Sequence, residues 1–269
     1  MDETVHSRRK PGVASLASAG LKQRAAVRAA ATARPPQPSP SAARAPVRSR
    51  QVAKAPTRAD APGTSRTNDP ARTMAGILEV ATHEFAEKGL SGARIDEIAA
   101  ATRTSKRMIY YYFGNKEGLY LAVLEEAYRR MRSIEAELHL EDLPPLQALE
   151  TLVGFTFDHH QGNPDFIRLV MSENIERGSY LAQSTLIQQL NVPAIGAIDK
   201  LYARGVEAGV FRAGLDPIDL HASISALTFF NVSNQYTFGL IFKHDGQTQA
   251  ALAARRKSVV EMISRFVSR

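Results

Sequence analysis

The 269 residues include no cysteine and no tryptophan. Without cysteine there is no disulfide framework, no thiolate metal site and no thiol nucleophile, which fits a reducing, cytoplasmic setting. No apolar run reaches the ~18–20 residues a bilayer-spanning helix needs. The most apolar stretch, residues 218–242, is interrupted by His221, Asn231, Asn234 and Gln235. The N-terminus lacks the continuous apolar core of a secretory signal. Phosphate loops, His-Glu-x-x-His and Gly-x-Ser-x-Gly are all missing, and no paired acid–base motif replaces them, so the reading is a non-enzyme without cofactor.

Aromatics and acids are scarce in one place. Residues 1–70 have no Phe, Tyr or Trp yet hold nine of the fourteen prolines. Such a segment cannot bury enough apolar surface to offset chain entropy, so residues 1–69 are expected to be a disordered Ala/Pro/Arg-rich arm. Of the 34 Lys/Arg and 27 Asp/Glu, 13 and 4 fall in residues 1–70, leaving 21 and 23 for the rest. The net +7 therefore belongs to the arm, and a basic arm suits a polyanion. A merely solvated tail is the alternative.

What is present is helical periodicity. Asp69-Pro70 opens it, since Asp caps a helix N-terminus and Pro suits the first helical position. Ile77, Ala81 and Phe85 then recur near a 3.6-residue period, stopped by Gly89. Leu143-Pro144-Pro145, Asn163-Pro164 and Asp216-Pro217 repeat that opening, and alternating strand patterns are lacking. The expectation is all-α with about nine helices, near residues 70–88, 95–101, 105–112, 116–137, 145–161, 164–177, 180–208, 216–241 and 247–268. The seventh is expected to kink or break before Pro193.

Two short helices joined by Thr102-Arg103-Thr104 read as a helix-turn-helix. The second opens on Ser105 and runs Lys106-Arg107-Met108-Ile109-Tyr110-Tyr111-Tyr112-Phe113 before Gly114. In this motif N-terminal residues of the second helix reach base edges in the major groove. Arg107 can fork onto guanine, a pairing worth ~1–3 kcal/mol of discrimination. Tyr110 and Tyr112 can offer hydroxyls to phosphates, whereas Tyr111 and Phe113 are expected to pack inward. Lys116, at the start of the next helix, is a natural phosphate contact. A solvated cationic face is the plain alternative for Lys106 and Arg107.

These residues resemble the TetR/AcrR family of bacterial repressors. The likeness rests on Ile77-Leu78, Ala81, Phe85 to Gly89, Ile98-Ala99, Ser105-Lys106, Ile109 to Phe113 and Asn115-Lys116-Glu117 with Leu119. It implies a DNA-binding domain over residues 70–125, and an effector-binding and dimerisation domain over residues 126–269. It also implies a homodimer on a double-stranded operator and a small-molecule effector. Carried over, Lys106, Arg107 and Met108 fall on base-reading positions, and Tyr110, Tyr112 and Lys116 on phosphate-contacting ones. Arg94, Thr104 and Ser105 complete the predicted DNA-binding set. Departures exist: Arg103 and Arg107 stand where glycine is usual, and Ala93 stands for a threonine, with Arg94 beside it.

The C-terminal half offers His159-His160 at the end of one helix, and Arg168 and Asn174 among apolar neighbours. Adjacent histidines point about 100° apart on a helix, so they do not readily grip one metal ion. His159, Arg168, Asn174 and Asn231 are the candidate effector contacts, and no metal is expected. Asn163-Pro164, Arg168-Leu169, Glu173 and Gly178 weakly resemble a RutR-like subgroup of the family, implying a catabolic nitrogen heterocycle or aromatic acid as effector. Phe229, Tyr236, Val259, Met262 and Phe266 are the candidate dimer surface, with ordinary intrachain core as the alternative. The reading is a ligand-released repressor; the competing one is an effector-independent architectural DNA binder.

Overall fold

The computed structural model describes residues 69–269, and the expected disordered arm lies outside the described residues, apart from Asp69. Ten α-helices account for most of them, and among the described residues extended pairing is limited to one antiparallel bridge between Phe211 and Ser268. α1 (Pro70–Gly92), α2 (Ile95–Ala101), α3 (Lys106–Phe113) and α4 (Lys116–Ala136) come first. α5 (Pro145–Gly162), α6 (Pro164–Ile175), α7 (Thr185–Glu207), α8 (Pro217–Ser233), α9 (Gln235–Phe242) and α10 (Gln249–Val267) follow.

The helix starts follow their capping chemistry. Asp69 accepts from the amides of Ala71 and Arg72, and Pro70 takes the position whose N–H has no helical partner. Pro145, Pro164 and Pro217 open α5, α6 and α8 in the same way. Ser105, Asn115 and Ser184 cap α3, α4 and α7 through side-chain oxygens.

Three boundaries differ from expectation. α7 does not break at Pro193 but runs continuously through it. The carbonyl left without a helical donor belongs to Gln189, an exposed residue, so the break in the ladder falls on the solvent side of the helix. α7 also begins later than residue 180, because residues 181–183 form a 3₁₀ turn and Ser184 supplies the cap. The single helix expected over residues 216–241 is two, parted at Asn234, whose backbone (φ −108°, ψ 6°) leaves the helical region.

α1 buries Ile77, Ala81 and Phe85 against α4 and α6 at once. The core around them takes in Ile98 and Ile109 of the short helices, Leu119, Tyr120 and Leu124 of α4, and Leu169 and Ile187 of α6 and α7. A second core joins α5, α7, α8 and α10 through Leu149, Val153, Phe157, Ile198, Ile224, Val259 and Ile263. A third, around Met131, Phe166, Ile167 and Val232, lies among α4, α6 and α8.

The end of α7 shows how tightly the second core closes. A Cβ on Gly205 would sit 1.8 Å from the Phe211 ring, which is fully buried and stacks on Tyr202. The Tyr202 hydroxyl donates to the Arg212 carbonyl at 2.7 Å and accepts from the Leu215 amide at 2.9 Å. Gly205→Ala must displace that ring. Equilibrium urea denaturation should show a loss of about 1–3 kcal/mol; an unchanged midpoint would mean the ring has room to move.

Candidate functional site

α2 and α3 are joined by a turn in which Arg103 is held at φ +53°. A left-handed conformation costs an L-residue about 1–2 kcal/mol, which is why glycine is usual at such a position. The turn is fixed by Thr102 Oγ1, which donates to the Ile98 carbonyl at 2.7 Å, and by the Thr104 amide on the Ala99 carbonyl at 3.0 Å. Ser105 Oγ then accepts from the Met108 amide at 3.2 Å and starts α3.

α3 is a two-faced helix. Ile109 is fully buried, and Tyr112 and Phe113, three and four residues on, pack on the same core. Tyr111, expected to pack, is instead 78% exposed, because it lies two residues past Ile109 and faces away from the core. Tyr112, expected to meet phosphate, shares the packed face. The open face therefore carries Arg107, Tyr110 and Tyr111 at spacings of three and four.

The cations on this surface are not equally free. Lys106 Nζ pairs with Asp96 of α2 at 2.7 Å, and this hydrogen bond holds the Asp96 carboxyl below its ordinary pKa. Arg94 leans toward Asp96 and Glu97 at 4.0 and 3.8 Å. Lys116 Nζ donates to the Ser91 carbonyl at 3.3 Å. Arg107 has no ion pair among the described residues.

Farther along the chain, α4 to α8 line an open-sided cavity of about 410 Å³. Its apolar lining includes Tyr128, Met131, Phe166, Val170, Ile187 and Phe229. Its polar groups are Arg132, His160, Gln188, Asn191, His221 and Ser225. Arg132 is only 11% exposed, pairs with Glu135, and donates through Nε to Asn191 Oδ1 at 3.0 Å. His160 is buried between Phe166 and Phe229, and its Nδ1 has no protein partner.

Burial, then His159, Arg132 and His221, push the His160 pKa down from 6.5 to about 4. His221 is lowered in the same direction by burial and then Arg132. Both imidazoles are therefore neutral near pH 7, and Arg132 is the one fixed cation among the cavity-lining residues.

The comparisons with known proteins follow the same division of the chain. The family described as bacterial regulatory proteins, tetR family, matches residues 77–123, and the tetracyclin repressor-like C-terminal domain matches residues 145–263. The HTH-type transcriptional repressor NicS of Pseudomonas putida is 34% identical over 172 residues, spanning 64% of this chain and 81% of that protein. The HTH-type transcriptional regulator RutR of Escherichia coli K12 is 30% identical over 152 residues, 56% and 70% of the two chains. The crystal structure of the Streptomyces coelicolor transcriptional regulator SCO4942 matches with a TM-score of 0.55 and 28% identity, over 72% of this chain and 98% of that one. The chain belongs to the TetR family of bacterial regulatory proteins. That family is a class of transcriptional regulators rather than enzymes.

Within this TetR-family chain, several residues predicted to be effector contacts lie elsewhere. Arg168 points away from the cavity, forms an ion pair with Glu87 of α1 and lies 3.4 Å from the Tyr236 hydroxyl. Asn174 is exposed and donates to the Val170 carbonyl of its own helix at 2.8 Å. Asn231 lies in a cleft among α8, α9 and α10 and donates to Gln161 Oε1 at 3.2 Å. His159 lines a different cavity, between α1, α4 and the start of α6, because successive side chains leave a helix about 100° apart. Two dimer candidates also move. Phe229 turns into the 410 Å³ cavity, and Val259 is fully buried in the second core. Tyr236, Met262 and Phe266 are exposed.

Reading the sequence missed Arg132 and His221, and of the His159-His160 pair it chose His159. Arg132 sits in the run Arg129-Arg130-Met131-Arg132, which reads as a solvated face. The only signal was its position beside Tyr128 and Met131, on the apolar side of α4.

Two outcomes can be measured. Arg103→Gly removes the left-handed penalty and adds some unfolded-chain entropy, so stability should rise by about 0.5–1 kcal/mol in chemical denaturation. A fall would mean the arginine side chain stabilises the turn. The unfolded chain takes a proton on His160 near pH 6.5 and the folded chain only near 4, so the stability due to neutral His160 is present above pH 6.5 and lost as pH falls toward 4. The shift corresponds to about 3 kcal/mol. His160→Gln should flatten the denaturation-versus-pH curve in that window by a comparable amount; an identical slope in both proteins would refute the assignment.

Proposed function

We propose that this protein is a homodimeric repressor that releases its operator when a small carboxylate, such as an aromatic or heterocyclic acid, enters the cavity between α4 and α8. Residues 70–125 form the DNA-binding head and residues 126–269 the effector and dimer half. The observation that carries the effector reading is Arg132, a nearly buried guanidinium facing a cavity whose other walls are aromatic, aliphatic or uncharged polar, with no carboxylate among the lining residues. A guanidinium in that setting selects a planar carboxylate, and flanking Tyr128, Phe166 and Phe229 suit a flat ring.

The cavity walls suggest the route of release. α4 begins at the end of α3 and carries Arg132 at its far end, and α6 packs against α1. An effector that favours one setting of α4 and α6 shifts the heads between operator-competent and released spacings, and its differential affinity for the two sets the size of the effect. Two heads must meet major grooves about one helical turn apart, which requires a dimer. Phe230, Tyr236, Leu240, Ile241, Met262 and Phe266 supply an exposed apolar surface on α8, α9 and α10 for that purpose.

On DNA, Arg107 reads a base edge, with Lys106 and Met108 beside it. Lys106 exchanges Asp96 for the nucleic acid. Tyr110, Lys116, Arg94 and the hydroxyls of Thr104 and Ser105 position the backbone, and Tyr111 joins them from the open face.

The test is fluorescence anisotropy with the chain's own upstream intergenic DNA and a scrambled control, at two salt concentrations. The expected result is a preference for the native sequence that survives the higher salt, about tenfold weaker in Arg107→Ala. Aromatic acids such as benzoate or nicotinate should release the wild type and not Arg132→Gln. Equal binding to both DNAs would sink the repressor reading, and release of Arg132→Gln at wild-type concentrations would sink the effector site.

A further inference from the structure

Away from the helix-turn-helix and the cavity, α1 carries Glu79, His83 and Glu87 at spacings of four, on one exposed face. Across the α1–α6 contact stands Asp165, in the first turn of α6. His83 Nδ1 lies 3.1 Å from Asp165 Oδ2. One donor atom from each of His83, Glu87 and Asp165 lies within 4.8 Å of the other two. Among the described residues the fixed cation paired with this group is Arg168, on Glu87. The carboxylates of Glu87 and Asp165, with Glu79 one turn away, surround the His83 imidazole with acidic oxygens.

We propose that His83, Glu87 and Asp165 form a binding site for a divalent transition-metal ion, zinc by its donor chemistry, that staples α1 to α6. One imidazole nitrogen and two carboxylate oxygens match zinc better than calcium or magnesium, which take mostly oxygen donors. The i, i+4 pair on α1 is already aligned, and rotation of exposed side chains brings the donors to the ~2.0–2.2 Å that zinc requires. Water completes the coordination, since the site is open. Zinc competes with Arg168 for Glu87 and replaces a flexible ion pair with a directional bond between the two helices. Because α1 belongs to the DNA-binding head and α6 lines the effector cavity, the ion stiffens the joint between them. That consequence rests on the repressor reading; the binding itself does not.

The experiment is calorimetric titration of the untagged full chain with zinc chloride, without DNA. The expected result is one zinc per chain at micromolar affinity, at least tenfold weaker in His83→Ala and in Asp165→Asn. His139→Ala dismantles the exposed His139–Glu141–Asp142 grouping and should leave binding unchanged. A thermal melt with zinc should shift the wild type upward and not His83→Ala, which also reports that the variant folds. The proposal is overturned if wild type and His83→Ala take up zinc alike, if His139→Ala removes the binding, or if the wild type takes up none.

Discussion

One helix face has to satisfy two neighbours, and the rest of the molecule is arranged around that demand. Ile77, Ala81 and Phe85 of α1 bury against α4 on one flank and α6 on the other. Phe85 meets Tyr120 edge-on at 5.1 Å, and Tyr120 meets Tyr180 edge-on at 5.3 Å, so an aromatic line runs from α1 through α4 to the α6–α7 connection. Glu173 of α6, buried beside this line, accepts from the Leu181 amide at 2.9 Å and ties the α6–α7 connection to it. The phenol of Tyr120 is correspondingly hard to ionise, through burial first and the neighbouring Glu173 second. Close-packed contacts of this kind transmit displacements because they have little slack.

The charged groups divide according to what surrounds them. On the helix-turn-helix, Lys106, Arg94 and Lys116 hold exposed partners, and such contacts are cheap to exchange in water. In the cavity the same residue types behave differently. Arg132 pairs with Glu135 and donates to Asn191, whereas burial and the nearby Arg132 hold the His160 and His221 pKa values down, and Glu135 offsets this only in part at His221. A surface of exposed, loosely paired cations and a pocket holding one nearly buried guanidinium thus arise from the same inventory of basic residues.

The helical class, the capped helix starts and the helix-turn-helix were legible because each depends on neighbours within a few residues. Asp69-Pro70, Ser105 and Asn115 cap what they precede, and Ile109 with Phe113 marks the inner face of α3. Tyr111 was misread because three consecutive tyrosines cannot be sorted by type, only by angle from Ile109. Arg168 and Asn174 lie outside the α4–α8 cavity for a related reason: a polar residue among apolar ones signals either a cavity or a contact with another element. For Arg168 the other element is α1, 81 positions earlier in the chain, and no local pattern announces Glu87 as its partner.

By itself, then, the sequence determined where helices begin, which side of each is apolar and which short helix carries the exposed cations, since these follow from capping and from a 3.6-residue period. Only the tertiary structure decided that Arg132 and His160 share a cavity while His159 does not, that Val259 is core while Phe266 is surface, and that His83 meets Asp165. Each of those facts depends on the rotation and separation of helices distant in sequence, which are set by how side chains from all of them fill a common core.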